Sequence, residues 1–91
     1  MRVRRIRWDE RSEEHISFHH VERDEVDQVV EDRPWFEQRR GTNRYYMYGQ
    51  TEEGRYLFVV LDHEGQDVFY CVTARNMEDR ERRLYLSRAK K

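Results

Sequence analysis

Hydrophobic and polar residues follow two different patterns along this chain, and the change falls near Pro34. Before the proline, Val26, Val29 and Val30 recur at helical spacing among acidic residues. This spacing predicts an amphipathic helix over residues 22–32, which packs its valines against a sheet. The helix is expected to stop there because the residue before a proline is driven out of the α conformation.

After the proline, three apolar runs predict strands at about 44–49, 55–62 and 67–75. The segments between them each contain a glycine suited to positive φ, which is typical of hairpin loops. On strict two-residue alternation, one face of the last strand would carry Val68, Tyr70, Val72 and Ala74, and the other Phe69, Cys71, Thr73 and Arg75.

The segments on either side of the acidic helix have weaker patterns. Residues 3–8 predict a first strand, and Asp9 can cap a short helical turn that follows it. Residues 15–21 predict an irregular link, and residues 34–43 predict a loop that contains both proline and glycine.

The last predicted element is a cationic helix that runs to about Arg88. Asn76 is its predicted N-cap, and Leu84 and Tyr85 are its predicted anchors on the rest of the fold. The resulting order, β-α-α-β-β-β-α, predicts a single α+β domain over residues 1–91. This domain is a small sandwich, with helices packed on a mostly antiparallel sheet.

The composition fits one domain with a small core, since 36% of the 91 residues are hydrophobic and 41% are charged. The net charge of −1 hides an asymmetry: residues 1–8 and 74–91 each carry +4, whereas residues 9–37 carry −8. An anionic partner would therefore meet the two basic segments rather than the acidic helix. Arginine supplies 16 of the 18 basic residues, and its planar guanidinium binds phosphate bidentately.

The single cysteine, Cys71, excludes an internal disulfide, and its place in an apolar strand predicts a buried side chain. No apolar stretch follows the basic start, so no signal peptide is predicted, and no run approaches the roughly 20 apolar residues of a membrane span. A soluble, cytoplasmic protein is therefore expected. The Cys and His spacing predicts no metal site, and no cofactor is expected.

The motif Thr73-Ala74-Arg75, followed by Glu81-Arg82-Arg83-x-Tyr85, resembles the BrnT family of small toxins from bacterial toxin–antitoxin pairs. The resemblance extends over nearly the whole chain. Further matches are Trp8-Asp9 to the pair that opens the family, Arg44 to an arginine before the second strand, and Gly49 to the glycine that ends that strand.

One landmark of the family, Lys-His-Gly-Val before paired acids, is altered in this chain. His19-His20-Val21 falls at this place, and Asp24-Glu25 supplies the acids. On this match His20 corresponds to the family histidine, His19 replaces the lysine, and the glycine is missing.

The resemblance implies a fold like that of the RelE/ParE ribonucleases and a toxin that inhibits translation by cleaving RNA without a metal. It also implies a cognate antitoxin of the BrnA kind, with a ribbon-helix-helix DNA-binding domain. DNA would be contacted only through that antitoxin, and no membrane partner is implied.

Cleavage of RNA without a metal needs a base for the 2′-hydroxyl, an acid for the leaving 5′-oxygen, and cations around the charged phosphorus. Histidine and arginine suit these roles. The candidate catalytic residues are His20, Glu25, Arg44 and Arg75. The candidate contacts to RNA or antitoxin are His19, Arg80, Arg82, Arg83 and Tyr85.

Alternatives to this function remain open at the level of sequence. Arg75 can instead pair with Asp79 or Glu25 and serve the fold, and Arg82-Arg83 can be a solvated helix face. The alternative function is a non-catalytic protein-binding module with the toxin fold, which the altered Lys-His-Gly segment and the pI of 6.4 favour. A DNA-binding module is disfavoured because no helix with a basic face precedes residue 74.

Overall fold

The computed structural model describes residues 2–89, and within them the chain forms one five-stranded sheet flanked by helices. The elements, in chain order, are β1 (Arg5–Arg7), α1 (Glu10–Phe18), α2 (Arg23–Glu31), β2 (Trp35–Gln38), β3 (Arg44–Gln50), β4 (Tyr56–Gly65), β5 (Val68–Asn76) and α3 (Asp79–Ala89). The strand order is β1-β5-β4-β3-β2. β1 pairs with β5 in parallel, and the other pairs are antiparallel. The predicted α+β class and mostly antiparallel sheet are confirmed.

The two faces of the sheet carry separate hydrophobic clusters. Helices α1 and α2 cover one face, here called the α1/α2 face, whose buried residues include Ile16, Val26 and Val29 from the helices. Helix α3 lies on the other face, here called the α3 face, where Tyr85 packs against Tyr48 and other aromatic residues of the sheet. The fold is therefore a three-layer arrangement in which the sheet separates α3 from the other helices.

Residues 34–43 are not the single loop that the sequence predicts. Trp35–Gln38 pairs with β3 as the edge strand β2, and only the segment between Gln38 and Arg44 is a loop. The proline and glycine of this segment lie at its ends, whereas Trp35 and Phe36 are good strand formers. The prediction was wrong because proline and glycine are turn signals only at the ends of this segment, while the aromatic pair between them forms a strand.

Helix α1 is longer than the short turn predicted after Asp9, and residues up to Phe18 belong to it. Asp9 accepts a hydrogen bond from the Ser12 amide at 2.8 Å, and Ser12 Oγ accepts one from the Asp9 amide at 2.8 Å. This capping box fixes the start of the helix. Its apolar pattern is weak because Ser12, rather than an apolar residue, is buried one turn before Ile16.

A β-bulge in β5 reverses the predicted faces of that strand. Val60 pairs with Thr73 and Leu61 pairs with Cys71, so Val72 has no partner on β4. An extra residue shifts the two-residue alternation by one position. The buried side chains are therefore Phe69, Cys71 and Ala74, and Arg75 projects to the opposite face from Cys71.

Two predictions about α3 were also wrong. Asn76 does not cap the helix, because β5 continues through Asn76 and α3 begins at Asp79. Leu84 is not an anchor, since it is 39% exposed, whereas Tyr85 is 8% exposed and Leu86 packs beside it. A run of Arg and Leu does not show which side of a helix faces the sheet.

Gly49 allows α2 to approach β3 closely. A Cβ atom at this position would lie 2.8 Å from Cγ1 of Val29, which is fully buried. A contact that short requires the helix or the valine to move. The glycine matched to the family in the sequence therefore has a packing role here.

We expect Gly49→Ala to lower the free energy of unfolding by about 1–3 kcal/mol, because the added methyl group overpacks the contact with Val29. In a Val29→Ala background the same change should become neutral or stabilising by about 0.5–1 kcal/mol, since alanine suits a strand better than glycine. Urea denaturation of the four proteins measures both effects. An equal cost of Gly49→Ala in the two backgrounds would contradict this account.

Candidate functional site

The four predicted catalytic residues lie on two different faces of the sheet. His20 ends the turn after α1, and Glu25 lies in the first turn of α2, so both belong to the α1/α2 layer. Arg44 and Arg75 project on the α3 face, where they pair with carboxylates of β4 and α3. The structure therefore does not bring the four predicted residues together as one group.

Arg55, which precedes β4, connects the α1–α2 turn to the end of β5. Its Nη1 donates to the His20 carbonyl oxygen at 2.7 Å and to Glu25 Oε1 at 2.9 Å. Its Nη2 donates to the His19 carbonyl oxygen at 3.2 Å, and its Nε donates to Asn76 Oδ1 at 2.8 Å. Four of the five guanidinium N–H groups are therefore used inside the protein. This set of contacts is here called the Arg55 cluster.

The contacts of Glu25 are structural. Besides Arg55, its Oε1 accepts a hydrogen bond from the Glu22 amide at 3.0 Å and so completes a capping box at the start of α2. Among the described residues it contacts no imidazole. Arg55 is absent from the residues predicted from the sequence. The sequence does single it out as a lone arginine between a turn glycine and the longest apolar run.

His20 has a left-handed backbone, with φ of +57°. The Val21 amide donates to the Ile16 carbonyl at 2.9 Å, and the His20 amide donates to the Ser17 carbonyl at 2.9 Å. These two bonds form a Schellman ending of α1, in which glycine is preferred at the position of His20. The buried pair Ile16 and Val21 adds the apolar contact that accompanies this ending.

This backbone favours a different match to Lys-His-Gly-Val. Without a gap, Phe18-His19-His20-Val21 falls on the motif, and His20 takes the place of the glycine. On that match, His19 would correspond to the family histidine in place of His20. The His19 ring contacts the edge of Phe18 at 5.1 Å between centroids, and Phe18 is 80% exposed.

The α3 face carries a row of polar side chains that crosses all five strands, here called the arginine row. The Arg39 amide donates to the Arg44 carbonyl at 2.8 Å, which extends the pairing of β2 and β3 by one step. The remaining neighbours are set by strand register. In order across the sheet, the row is Arg39, Arg44, Asp62, Tyr70 and Arg7.

Arg44 is held in place by Asp62 but keeps donors for a ligand. Its Nε and Nη2 bind the two carboxylate oxygens at 2.8 and 3.0 Å, and Nη1 has no hydrogen-bond partner within residues 2–89. Its side chain is 40% exposed. Beside it, Arg39 Nη1 donates to the Tyr46 hydroxyl at 3.0 Å.

Arg7 ends the row at the other edge of the sheet. Its Nε and Nη2 bind the Glu64 carboxylate, both at 2.8 Å, and its guanidinium lies 4.6 Å from the centre of the Tyr70 ring. The hydrogen bond from Arg7 lowers the pKa of Glu64 below its ordinary value. The Tyr70 hydroxyl donates to Asp9 Oδ1 at 3.0 Å, which ties the row to the start of α1.

Arg75 pairs with Glu81 of α3, not with the sequence-suggested partners Asp79 or Glu25. Nη1 and Nη2 bind the carboxylate at 2.8 and 3.0 Å, and the guanidinium lies 4.5 Å from the Phe58 ring centre. Burial raises the pKa of Glu81, but hydrogen bonds from Arg75 and from the Glu78 amide outweigh it and leave the pKa below its ordinary value.

The other residues predicted on α3 have different surroundings. Tyr85 is buried against the sheet and is not available to a ligand. Arg82 stacks on Tyr56, with 4.5 Å between the guanidinium carbon and the ring centre. Arg80 and Arg83 are exposed to solvent. Of the predicted contact residues on α3, only Arg80, Arg82 and Arg83 can therefore reach a partner.

Within residues 2–89, no three His, Cys, Asp or Glu side chains are grouped so that they could hold a metal ion. Burial raises the pKa of the Cys71 thiol to about 12, so the thiol stays protonated at neutral pH. None of the described helices has both the length and the apolar composition needed to span a membrane.

No protein-family model matches this sequence, and comparison with curated proteins gives no significant match. The resemblance to the BrnT family therefore depends on the residues quoted for it in the sequence.

We expect His20→Gly to raise the free energy of unfolding by about 0.5–1 kcal/mol. The left-handed conformation costs a side chain about 1–2 kcal/mol, and part of this gain is offset by the greater freedom of glycine in the unfolded chain. His19→Gly is the matched control: His19 has φ of −96°, so the change should be destabilising by about 0.5–1 kcal/mol. Thermal denaturation of both variants checks the two opposite signs; two changes of the same sign would contradict the assignment.

Proposed function

We propose that this chain is a BrnT-like toxin that inhibits translation by cleaving RNA without a metal, through the α3 face of its RelE-like fold. The observation that carries the proposal is that Arg44 and Arg75, both matched to family arginines, project from the same face of the sheet. Each is oriented by a bidentate carboxylate and remains partly exposed. Oriented guanidinium groups on one surface suit a chain of phosphates.

Arg44 and Arg75 bind different phosphates in this proposal. Their partners on β4, Asp62 and Phe58, are four residues apart, which is about 13 Å along a strand. One phosphate cannot reach both guanidinium groups. In this proposal Arg75 contacts the phosphate that is cleaved, and Arg44 contacts a different phosphate of the same RNA.

The proposed reaction centre is the end of β5, where Arg55 connects the α1–α2 turn to the strand. Arg75 projects to the α3 face, and the next residue, Asn76, binds Arg55 and through it the backbone of His19. His19 is the proposed acid–base residue because it takes the place of the family histidine. A base removes the proton of the 2′-hydroxyl, the oxygen attacks phosphorus, and an acid protonates the leaving 5′-oxygen. Arg75 stabilises the charge that develops on the phosphoryl oxygens.

The proposed partner in the cell is an antitoxin of the BrnA kind with a ribbon-helix-helix domain. An acidic segment of that antitoxin would bind the α3 face, where arginines and half-buried tyrosines provide the side chains that most often anchor interfaces. The surface that binds the antitoxin is then the same as the surface that binds RNA, so the antitoxin inhibits by covering it. The complex would contact DNA, including its own operon, through the antitoxin.

One observation favours a second candidate, a non-catalytic protein-binding module. Arg7, Arg44 and Arg75 are all paired with carboxylates, so the α3 face is nearly balanced in charge. Such a surface suits a protein partner with a matching pattern of charges better than it suits a bare polyanion. In this case the chain would bind its partner without harming the cell.

Induced expression of the chain alone should stop bacterial growth and protein synthesis if the proposed function is right. RNA extracted after induction should be shortened, and cleavage by the purified protein should persist in EDTA because no metal takes part. Normal growth at a high level of folded protein would reject the toxin and favour the binding module.

A pair of substitutions separates a catalytic Arg75 from a structural one. Arg75→Ala should lower RNA cleavage by about 10²–10³-fold, as for other lost contacts to a transition state. Glu81→Gln keeps the guanidinium but removes the carboxylate that orients it, so cleavage should fall by less than in Arg75→Ala. If Arg75 serves only the fold, the two variants should lose activity and stability together.

The pH dependence of stability verifies that Glu81→Gln has removed the ion pair. The pKa of Glu81 is lowered in the folded protein from its ordinary value of 4.5. The pair therefore stabilises the fold above that pH, and the stabilisation is lost as pH falls through the folded pKa. Urea denaturation should show Glu81→Gln less stable than the unmodified protein at neutral pH, with the difference shrinking in acid.

A further inference from the structure

The arginine row provides a continuous path across the sheet, from Arg39 at one edge to Arg7 at the other. Neighbouring strands are about 4.8 Å apart, so the four steps from β2 to β1 span about 19 Å. Helix α3 contacts the sheet near Trp35 and Tyr56 and leaves the row outside its cover. The side chains of Arg7 and Arg44 are 42% and 40% exposed. The row is therefore an open surface long enough for several nucleotides.

Flat groups that can stack on bases lie at both ends of this path. Near Arg39, the half-buried ring of Tyr46 packs against Phe58 at 5.4 Å, and Arg39 fixes its hydroxyl. At the other end, the guanidinium of Arg7 lies over the Tyr70 ring, and the Arg7 side chain is 42% exposed. Aromatic rings and guanidinium planes are the groups on which proteins stack unpaired bases.

The ion pairs of the row leave guanidinium donors free for a phosphate. Arg44 pairs with Asp62, and Arg7 pairs with Glu64 at the rim and lies 4.0 Å from Asp9. Exposed ion pairs of this kind contribute little to stability. A phosphate can therefore add to the free donors of each guanidinium without a large cost from breaking the pair.

We propose that the arginine row binds single-stranded RNA that runs across the strands, with bases stacked on Tyr46 and on the guanidinium of Arg7. This inference rests on the proposed function and adds the strandedness of the substrate, its path, and three contact residues, Arg7, Arg39 and Tyr46. A sheet surface of this kind holds about two or three stacked bases. Duplex RNA keeps its bases paired and its major groove closed to side chains, so it cannot use these groups.

Fluorescence anisotropy with a labelled, fully 2′-O-methylated oligouridylate measures binding without cleavage, because attack by a 2′-hydroxyl is blocked. The unmodified protein should bind this probe about tenfold more tightly than a 2′-O-methylated hairpin duplex of similar length. Arg7→Ala and Tyr46→Leu should each weaken binding of the single strand by about tenfold. Tyr46→Leu keeps an apolar contact with Phe58, and thermal denaturation checks that both variants remain folded.

Arg23→Ala is the matched control for Arg7→Ala. Arg23 also pairs with a carboxylate, that of Glu13, and stacks on an aromatic ring, that of Trp8, but it lies on α2. Its substitution should leave RNA binding unchanged. Equal affinity for single strand and duplex, or binding that Arg7→Ala and Arg23→Ala alter equally, would overturn the inference.

The two proposals can fail separately. Binding along the row without growth arrest or cleavage of natural RNA would reject the toxin and leave the RNA site standing. Growth arrest and cleavage that Arg7→Ala and Tyr46→Leu do not weaken would leave the toxin standing and overturn the path across the row.

Discussion

The extra residue in β5 determines which side of the sheet Arg75 faces. Val72 has no partner on β4, and the strand resumes pairing at Thr73 with its alternation shifted by one. The exposed Val72 carbonyl is met by His15 of α1, whose Nδ1 lies 3.0 Å from the oxygen and must carry the proton, since a carbonyl only accepts. Without this bulge Arg75 would point into the layer of α1 and α2. With it, Arg75 shares the α3 face with Arg44.

A second constraint, the Arg55 cluster, connects regions far apart in sequence. One guanidinium donates to the His19 and His20 carbonyls, the Glu25 carboxylate and the side-chain oxygen of Asn76. The turn between α1 and α2 is therefore fixed against the end of β5. Because nearly all its donors are used within the protein, Arg55 is a structural arginine. Its contacts hold the His19-His20 turn against Asn76, the residue that follows Arg75.

The arginines of the α3 face differ from Arg55 in what they leave free. Arg7, Arg44 and Arg75 each have a carboxylate partner that fixes the direction of the guanidinium while some N–H groups stay unused. Preorganised donors of this kind lose little conformational entropy when a ligand binds. The same pairing offsets the charge of each of these arginines with a neighbouring carboxylate.

The sequence by itself determined the α+β class, the acidic helix and the three long strands, because each depends on local apolar periodicity and on turn residues that act over a few positions. It also indicated Arg44 and Arg75 through their motif. Only the tertiary structure decided the surroundings of these residues. The bulge at Val72 and the contacts of Arg55 arise from pairing and packing between distant segments, which no local pattern of residue types encodes. The left-handed His20 belongs to a local helix ending, but a histidine there does not announce it as a glycine would.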